Sequence, residues 1–384
     1  MPEAEPSANP QPAGDSRTAT AAQFVESSVK PNGAASAAAP RAPREHQRAG
    51  VAMDWKSRVL FWLMTGVLHA LSLLPDFMLY AIGIGAGWLG YRLDRRHVRI
   101  GMKNLAIAFP EKSEAEREKI LRGSYLNLGR SVAEYIRLGG FFYRRLRRRV
   151  AYDRFWYLLD LQARCAPKGI VILTAHFGNF ELLLGSHALL GHQISLVHHT
   201  QRFLAGDALM TFVRERAGVD VIRKHSAARA VLRALRQGDL VGIPFDQNAK
   251  RREAVFVPFF GEPAATASGV ARMVAISGAP VMPVFIVRQP GGRSHIIELQ
   301  DEVPIQRSAD PDADLLENTR RFVSAVEAMV RRHPEQFLWT HRRYRTRPRG
   351  LPPVYDWETH RGRRSSDRAD DDAELGSDGG TPAS

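Results

Sequence analysis

The stretch Gly169-Ile-Val-Ile-Leu-Thr-Ala-His-Phe-Gly-Asn-Phe-Glu181 decides the fold. Its opening, Gly169 to Ala175, is a continuous apolar run of strand length, as expected for a strand covered on both faces. His176 leaves that strand, Gly178 and Asn179 permit a tight turn, and a helix is expected from Phe180 to Leu190. The same alternation repeats downstream. Strands are expected at Ile194 to Val197, Val219 to Ile222, Leu240 to Pro244, Val281 to Val287 and His295 to Leu299. Helices are expected at Ala208 to Ala217, after the cap Ser226 up to Gly238, at Ala267 to Ser277 and at Asp312 to Arg332, with an earlier one at Glu114 to Leu138. Strands alternating with helices imply an α/β fold with a mostly parallel central sheet flanked by helices. In such sheets chemistry belongs to the loops leaving the carboxyl ends of strands, and His176 stands on one.

His176 and Glu181 form a His-x4-Glu pair. Thirteen histidines in a chain with forty acids yield roughly one such spacing by chance, so its setting at the strand-to-helix junction carries the inference. A carboxylate on one imidazole nitrogen fixes the tautomer and leaves the other nitrogen free to accept a proton, which makes a general base. No Ser or Cys occupies a nucleophile elbow nearby, so a substrate hydroxyl is the natural nucleophile. The competing reading is a structural histidine with a helix-capping glutamate. His187, His192, His198 and His199 have no acid at this spacing and read as packing or loop residues.

At 384 residues the chain is long enough for one large domain or two ordinary ones. Its net charge is +14, and six acids against Arg368 make residues 365–384 an acidic tail of −5, leaving +19 on residues 1–364. The body therefore expects an anionic partner. One cysteine, Cys165, allows no internal disulfide, and no Cys/His set has zinc-ligand spacing. Residues 1–52 are rich in Ala, Pro, Ser and Gly and are expected to be a disordered arm, with Met53 a possible start; residues 359–384 are expected to be a disordered acidic tail. Between them lie a membrane-anchoring segment, 53–96, and a catalytic domain, 97–358. Val59 to Pro75 and Phe77 to Tyr91 are uncharged runs with Lys56, Arg58, Arg92, Arg95 and Arg96 at their borders. They read as a short transmembrane helix, a shallow hairpin or a buried helix pair, with membrane attachment favoured. Arg144 to Arg149, after Phe141 to Tyr143, suits an anionic membrane surface. The chain shows no recognisable nucleic-acid module, so nucleic acid is not expected as a partner.

His176-Phe-Gly-Asn-Phe-Glu181 resembles the His-x4-Asp/Glu motif of glycerolipid acyltransferases, and its setting resembles the lipid A late-acyltransferase family of lauroyl/myristoyl type. Further segments agree in order: Asn104 to Pro110; Asp246-Gln247 followed by Val255 to Gly261 and Ala265-Thr266; Ala279 to Pro283; and Pro334 to Trp339 with His341 to Tyr344 and Arg347-Pro348. The family sets an aromatic, often Trp, before the acid, and here it is Phe180. The resemblance implies transfer of a fatty acyl chain from an acyl thioester to a hydroxyl of a membrane glycolipid, with no cofactor, no metal and no acyl-enzyme. His176 would take the proton and Glu181 would orient it. Arg216, Arg223 and Arg272 are candidates for binding phosphate or the oxyanion, Asp246 for holding an arginine or substrate hydroxyl, and Arg343 for lipid phosphates or an acidic carrier. The implied donor is acyl-carrier protein or acyl-CoA, the acceptor a lipid A precursor, and the place a bacterial inner membrane with the active site facing the cytoplasm. Alternatives are another acceptor, such as an inositol mannoside or lysophospholipid with acyl-CoA, and a non-catalytic basic protein that binds membrane or nucleic acid.

Overall fold

The computed structural model describes residues 53–198, 200–223, 227–355 and Trp357; the expected arm and tail, His199 and Ser226 lie outside them. Four helices come first: α1 (Trp55–Ser72), α2 (Asp76–Leu93), α3 (Arg95–Ala108) and α4 (Glu114–Gly139). The α/β part then runs β1 (Val150–Tyr152), α5 (Phe155–Cys165), β2 (Ile170–Thr174), α6 (Phe180–Leu189), β3 (Ile194–His198), α7 (Leu204–Arg216), β4 (Val219–Arg223), α8 (Ala227–Arg236) and β5 (Leu240–Pro244). It closes with β6 (Ala254–Phe259), β7 (Glu262–Ala267), α9 (Gly269–Ser277), β8 (Val281–Arg288), β9 (His295–Leu299) and α10 (Pro311–Arg332).

Seven strands form one sheet in the order β1-β9-β8-β2-β5-β3-β4. From β8 to β4 neighbouring strands are parallel; β9 runs antiparallel to β8, and β1 is parallel to β9. Every residue of β2 is buried. Val171 and Leu173 point into a core shared with Val231 and Leu235 of α8, Val274 of α9 and Phe322 and Val326 of α10. Ile170 and Ile172 point the other way, into a core with Leu158 of α5, Leu182 to Leu184 of α6 and Val213 of α7. The strand alternation thus serves two apolar faces at once, which is why its sequence is continuously hydrophobic. Each such buried side chain contributes about 1.5–3 kcal/mol.

Two features differ from the sequence expectation. Residues 254–267 form an antiparallel hairpin, β6–β7, whose turn residues Phe260 and Gly261 have φ of 53° and 78°, the geometry of a tight hairpin turn. Pro258 and Pro263 had hidden it, because proline weakens a strand reading. The second difference concerns α1 and α2. No helix among the described residues is long and apolar enough to cross a membrane. Instead α2 lies on α4 along glycines: a Cβ on Gly83 would collide with the Gly129 carbonyl, and one on Gly87 with that of Tyr125. Polar ties fix this seat. Tyr80 donates to Glu134 (2.7 Å), Arg137 donates to Asp76 (2.9 Å), and Arg149 also pairs with Asp76. The outer surfaces stay apolar and exposed, with Trp55, Trp62, Leu63, Val67, Phe77, Trp88 and Leu93 open to solvent.

Candidate active site

The loop after β2 is held from three sides. Gly178 has φ of +57°, and any Cβ there would strike the Ile286 carbonyl of β8, so only glycine fits. Its N–H donates to the Gln336 carbonyl (2.8 Å), while Leu338 N–H donates to the His176 carbonyl (3.0 Å). Asn179 caps α6 by accepting from Leu182 N–H (3.1 Å) and donates to the buried Glu134 carboxylate (2.8 Å).

His176 emerges from this loop with 22% of its side chain exposed. The carboxylate on its Nδ1 is that of Asp246, which is buried two residues past the end of β5. Asp246 Oδ1 accepts the His176 backbone N–H (3.1 Å) and the ring Nδ1–H (2.9 Å). Burial works against the Asp246 charge, but the imidazole beside it and these two hydrogen bonds outweigh it and lower its pKa. For His176 burial likewise opposes protonation, and Asp246, with a smaller share from Glu181, raises its pKa. With Nδ1 donating, Nε2 carries the free lone pair. The exposed Gln247 amide nitrogen stands 3.4 Å from Nδ1 and 3.3 Å from Nε2, near-equal distances that put it over the ring face rather than along that lone pair. Phe180 meets the ring edge-on at 4.9 Å between centroids.

The expected contact between Glu181 and His176 is not made. Glu181 receives Arg214 of α7 in a fork, Nε at 2.9 Å and Nη2 at 2.5 Å. Arg214 also donates from Nη1 to His198 Nδ1 (2.8 Å), and because arginine only donates, His198 must be the Nε2–H tautomer that donates to Asp207 (2.7 Å). Arg223, 3.3 Å from Asp207, closes this buried network. Glu181 is therefore one end of an ion network whose charge reaches His176 without touching it.

The remaining sequence candidates are dispersed. Arg216 turns away, donating to the Gly140 carbonyl (3.3 Å) with its guanidinium 5.5 Å from the Tyr143 ring. Arg272 is exposed on α9. Arg343 is 3% exposed and donates to the Gln247 carbonyl (3.2 Å), the Ala265 carbonyl (2.7 Å) and Thr266 Oγ1 (2.6 Å), tying the Asp246-Gln247 loop to β7. His341 accepts the Asn248 N–H (3.0 Å), and burial lowers its pKa to about 4, so it stays neutral beside Asp246. Sequence reasoning missed Arg214 and the pairing of Asp246 with His176. Strand register holds the clue to the pairing: Thr174 and Pro244 are register partners, and His176 and Asp246 each lie two residues beyond them. Among the described residues no cluster of His, Cys, Asp or Glu is arranged to hold a metal ion.

Comparison with known proteins identifies the family. The family described as bacterial lipid A biosynthesis acyltransferase matches residues 51–346. The lipid A biosynthesis lauroyltransferase of Escherichia coli K12 is 30% identical over 77% of this chain and 94% of its own length. A lipid A biosynthesis acyltransferase of Haemophilus influenzae is 28% identical over the same shares, and the E. coli K12 myristoyltransferase is 26% identical over 75% of this chain and 88% of its own. With a match running from the first helix through the loop of Arg343, the chain belongs to the bacterial lipid A biosynthesis acyltransferase family and is an O-acyltransferase.

Proposed function

We propose that this enzyme moves a fatty acyl chain from an acyl-carrier thioester to a hydroxyl of a lipid A precursor, with His176 as the general base. The observation that carries this is the double acceptance by Asp246 Oδ1 of the His176 amide and ring N–H, which leaves Nε2 as the free base at the carboxyl edge of the sheet. Nε2 takes the hydroxyl proton as the alcohol oxygen bonds to the thioester carbonyl carbon. The carbon–sulfur bond of the tetrahedral intermediate then breaks, and the imidazolium gives the proton to the departing sulfur. Asp246 holds the imidazole and stabilises its cation, as the carboxylate of a catalytic triad does. Glu181, paired with Arg214, adds negative potential at the ring. The exposed Gln247 amide beside the ring is a candidate donor for the developing oxyanion.

Residues 53–96 would attach the enzyme to the membrane and residues 97–358 would carry catalysis. The exposed aromatic and aliphatic face of α1 and α2 supports attachment in the plane of the interface, as does exposed Phe141 and Phe142 beside exposed Arg144, Arg145 and Arg148. We propose that the enzyme acts at the cytoplasmic face of a bacterial inner membrane.

The test is acyl transfer to purified lipid A precursor from acyl-carrier thioester and, in parallel, from acyl-CoA. Wild type should form product, and His176→Ala and Asp246→Asn should each lower kcat by about 10²–10⁴ with KM little changed. In Asp246→Asn the ascending limb of the pH–rate profile should also move to lower pH, because the carboxylate that raises the His176 pKa is gone. Wild-type rates in His176→Ala would overturn the base assignment. Turnover confined to another glycolipid would overturn the acceptor and leave the chemistry standing.

A further inference from the structure

A second cluster of charge lies on the same edge of the sheet, where α2, α4 and the β8–β9 turn meet. Arg288 ends β8 and is buried; it grips Glu134 through Nη1 (2.5 Å) and Nη2 (2.9 Å) and donates to the Gly292 carbonyl (3.0 Å). The turn it fixes contains Gly291 and Gly292 at φ of 88° and 75°. Gly292 lies so close to Arg130 of α4 that a Cβ there would stand 3.1 Å from Arg130 Nε. Arg293, next in the turn, sets its guanidinium 5.7 Å from the Tyr80 ring of α2, and Arg149 stands 5.9 Å from the same ring. Arg130, Arg137, Arg149, Arg288 and Arg293 thus gather around two carboxylates, Asp76 and Glu134, which Arg137, Arg149 and Arg288 already engage. Arg130 and Arg293 form no hydrogen bond or ion pair among the described residues.

Arg130 is half-buried and Arg293 exposed; a half-buried cation without an ion pair is unfavourable and marks where an anion gains most. Tyr80 does not supply one, since burial and the adjacent Glu134 push its hydroxyl pKa up and keep it neutral. Two free guanidinium forks suit a tetrahedral oxyanion better than lysines would, because each offers paired donors in a fixed plane. The cluster borders the apolar outer face of α2, where Phe77 and Ile82 are exposed. It is also linked to the catalytic loop: Asn127 and Ser131 accept from Arg288 (2.7 and 3.1 Å) and donate to the Gly178 carbonyl (3.4 and 3.2 Å).

We propose that Arg130 and Arg293, backed by Arg149 and Arg288, form a binding site for a phosphate monoester on the headgroup of the glycolipid acceptor. This deepens the proposed function and rests on the acceptor being a phosphorylated glycolipid.

The experiment measures binding and turnover separately, with the full chain in neutral-detergent micelles. Binding of lipid A precursor is compared with that of the same lipid stripped of its phosphates, with inorganic phosphate as competitor. Wild type should bind the phosphorylated lipid about tenfold or more tightly than the stripped one, and Arg130→Gln/Arg293→Gln should abolish that preference while Arg130→Lys/Arg293→Lys keeps only part of it. In the transfer assay the double Gln variant should raise KM for the phosphorylated acceptor by about the same factor, with kcat within about threefold of wild type at saturation. A double Gln variant that binds the phosphorylated lipid like wild type would overturn the site. So would inorganic phosphate binding as tightly as the lipid, which would make it a site for the free ion. A phosphate preference that vanishes in the double variant, in an enzyme that transfers no acyl chain, would uphold the site and overturn the proposed reaction.

Discussion

His176 and His198 each have a carboxylate on one ring nitrogen, and what stands at the other nitrogen separates them. His198 is closed, with Asp207 on Nε2 and Arg214 on Nδ1, so it has no lone pair left to offer. His176 has Asp246 on Nδ1 and an open Nε2. Arg214 is the residue both systems share, since it neutralises Glu181 and blocks His198. Arg214→Met should therefore leave the Glu181 carboxylate buried without its partner and destabilise the fold by about 3–5 kcal/mol, read as a lower urea midpoint. Glu181→Leu/Arg214→Met should recover much of that loss, since both charges leave together. The sequence offered Glu181 as the steering acid because it lies five residues from His176. A β-strand register, which no local spacing encodes, brings Asp246 there instead.

At the scale of elements, the seam between α2 and α4 decides how the apolar N-terminal segment is used. Backbone meets backbone at Gly83, Gly87 and Gly129, so a larger residue cannot be absorbed by a side-chain shift. Gly83→Val should cost about 1–3 kcal/mol in stability and expose the seam, with thermal melting and protease cleavage near Tyr80 as readouts. The two helices were legible as uncharged runs with basic borders. Whether they span, lie flat or pack was not, because the same composition serves all three. The packed face is chosen by glycine positions and by Tyr80 and Asp76 finding partners on α4 and beyond it. The β6–β7 hairpin was hidden for a related reason: its prolines argue against a strand, and only its tertiary setting overrides them.

For the whole molecule, buried neutral histidines set the response to acid. Burial lowers the pKa of His187 to about 3 and those of His192, His295 and His341 to about 4. Below pH 6.5 the unfolded chain takes up protons at these positions that the folded chain refuses. Stability should therefore fall as pH drops from 6.5 toward 4, by up to about 1.4 kcal/mol per pH unit for each group. His176 runs the other way: its raised pKa adds stability that is present below pH 6.5 and lost as pH rises through the folded value. Urea midpoints between pH 7 and pH 5 should decline steadily, and His187→Phe should flatten part of that slope. A midpoint independent of pH would show that these rings are hydrated in the folded state.

The sequence by itself determined the alternation of strands and helices, the placing of His176 at a strand's carboxyl end, the glycine that lets the loop turn there, and the excess of positive charge. These follow from apolar period, backbone freedom and composition, all of which are local. Only the tertiary structure decided which carboxylate reaches the imidazole, that Glu181 belongs to Arg214, and that the turn carrying Arg293 packs against Arg130 and Tyr80. Those pairings join residues tens to hundreds of positions apart, and they depend on strand order and helix seating, which the sum of distant contacts sets.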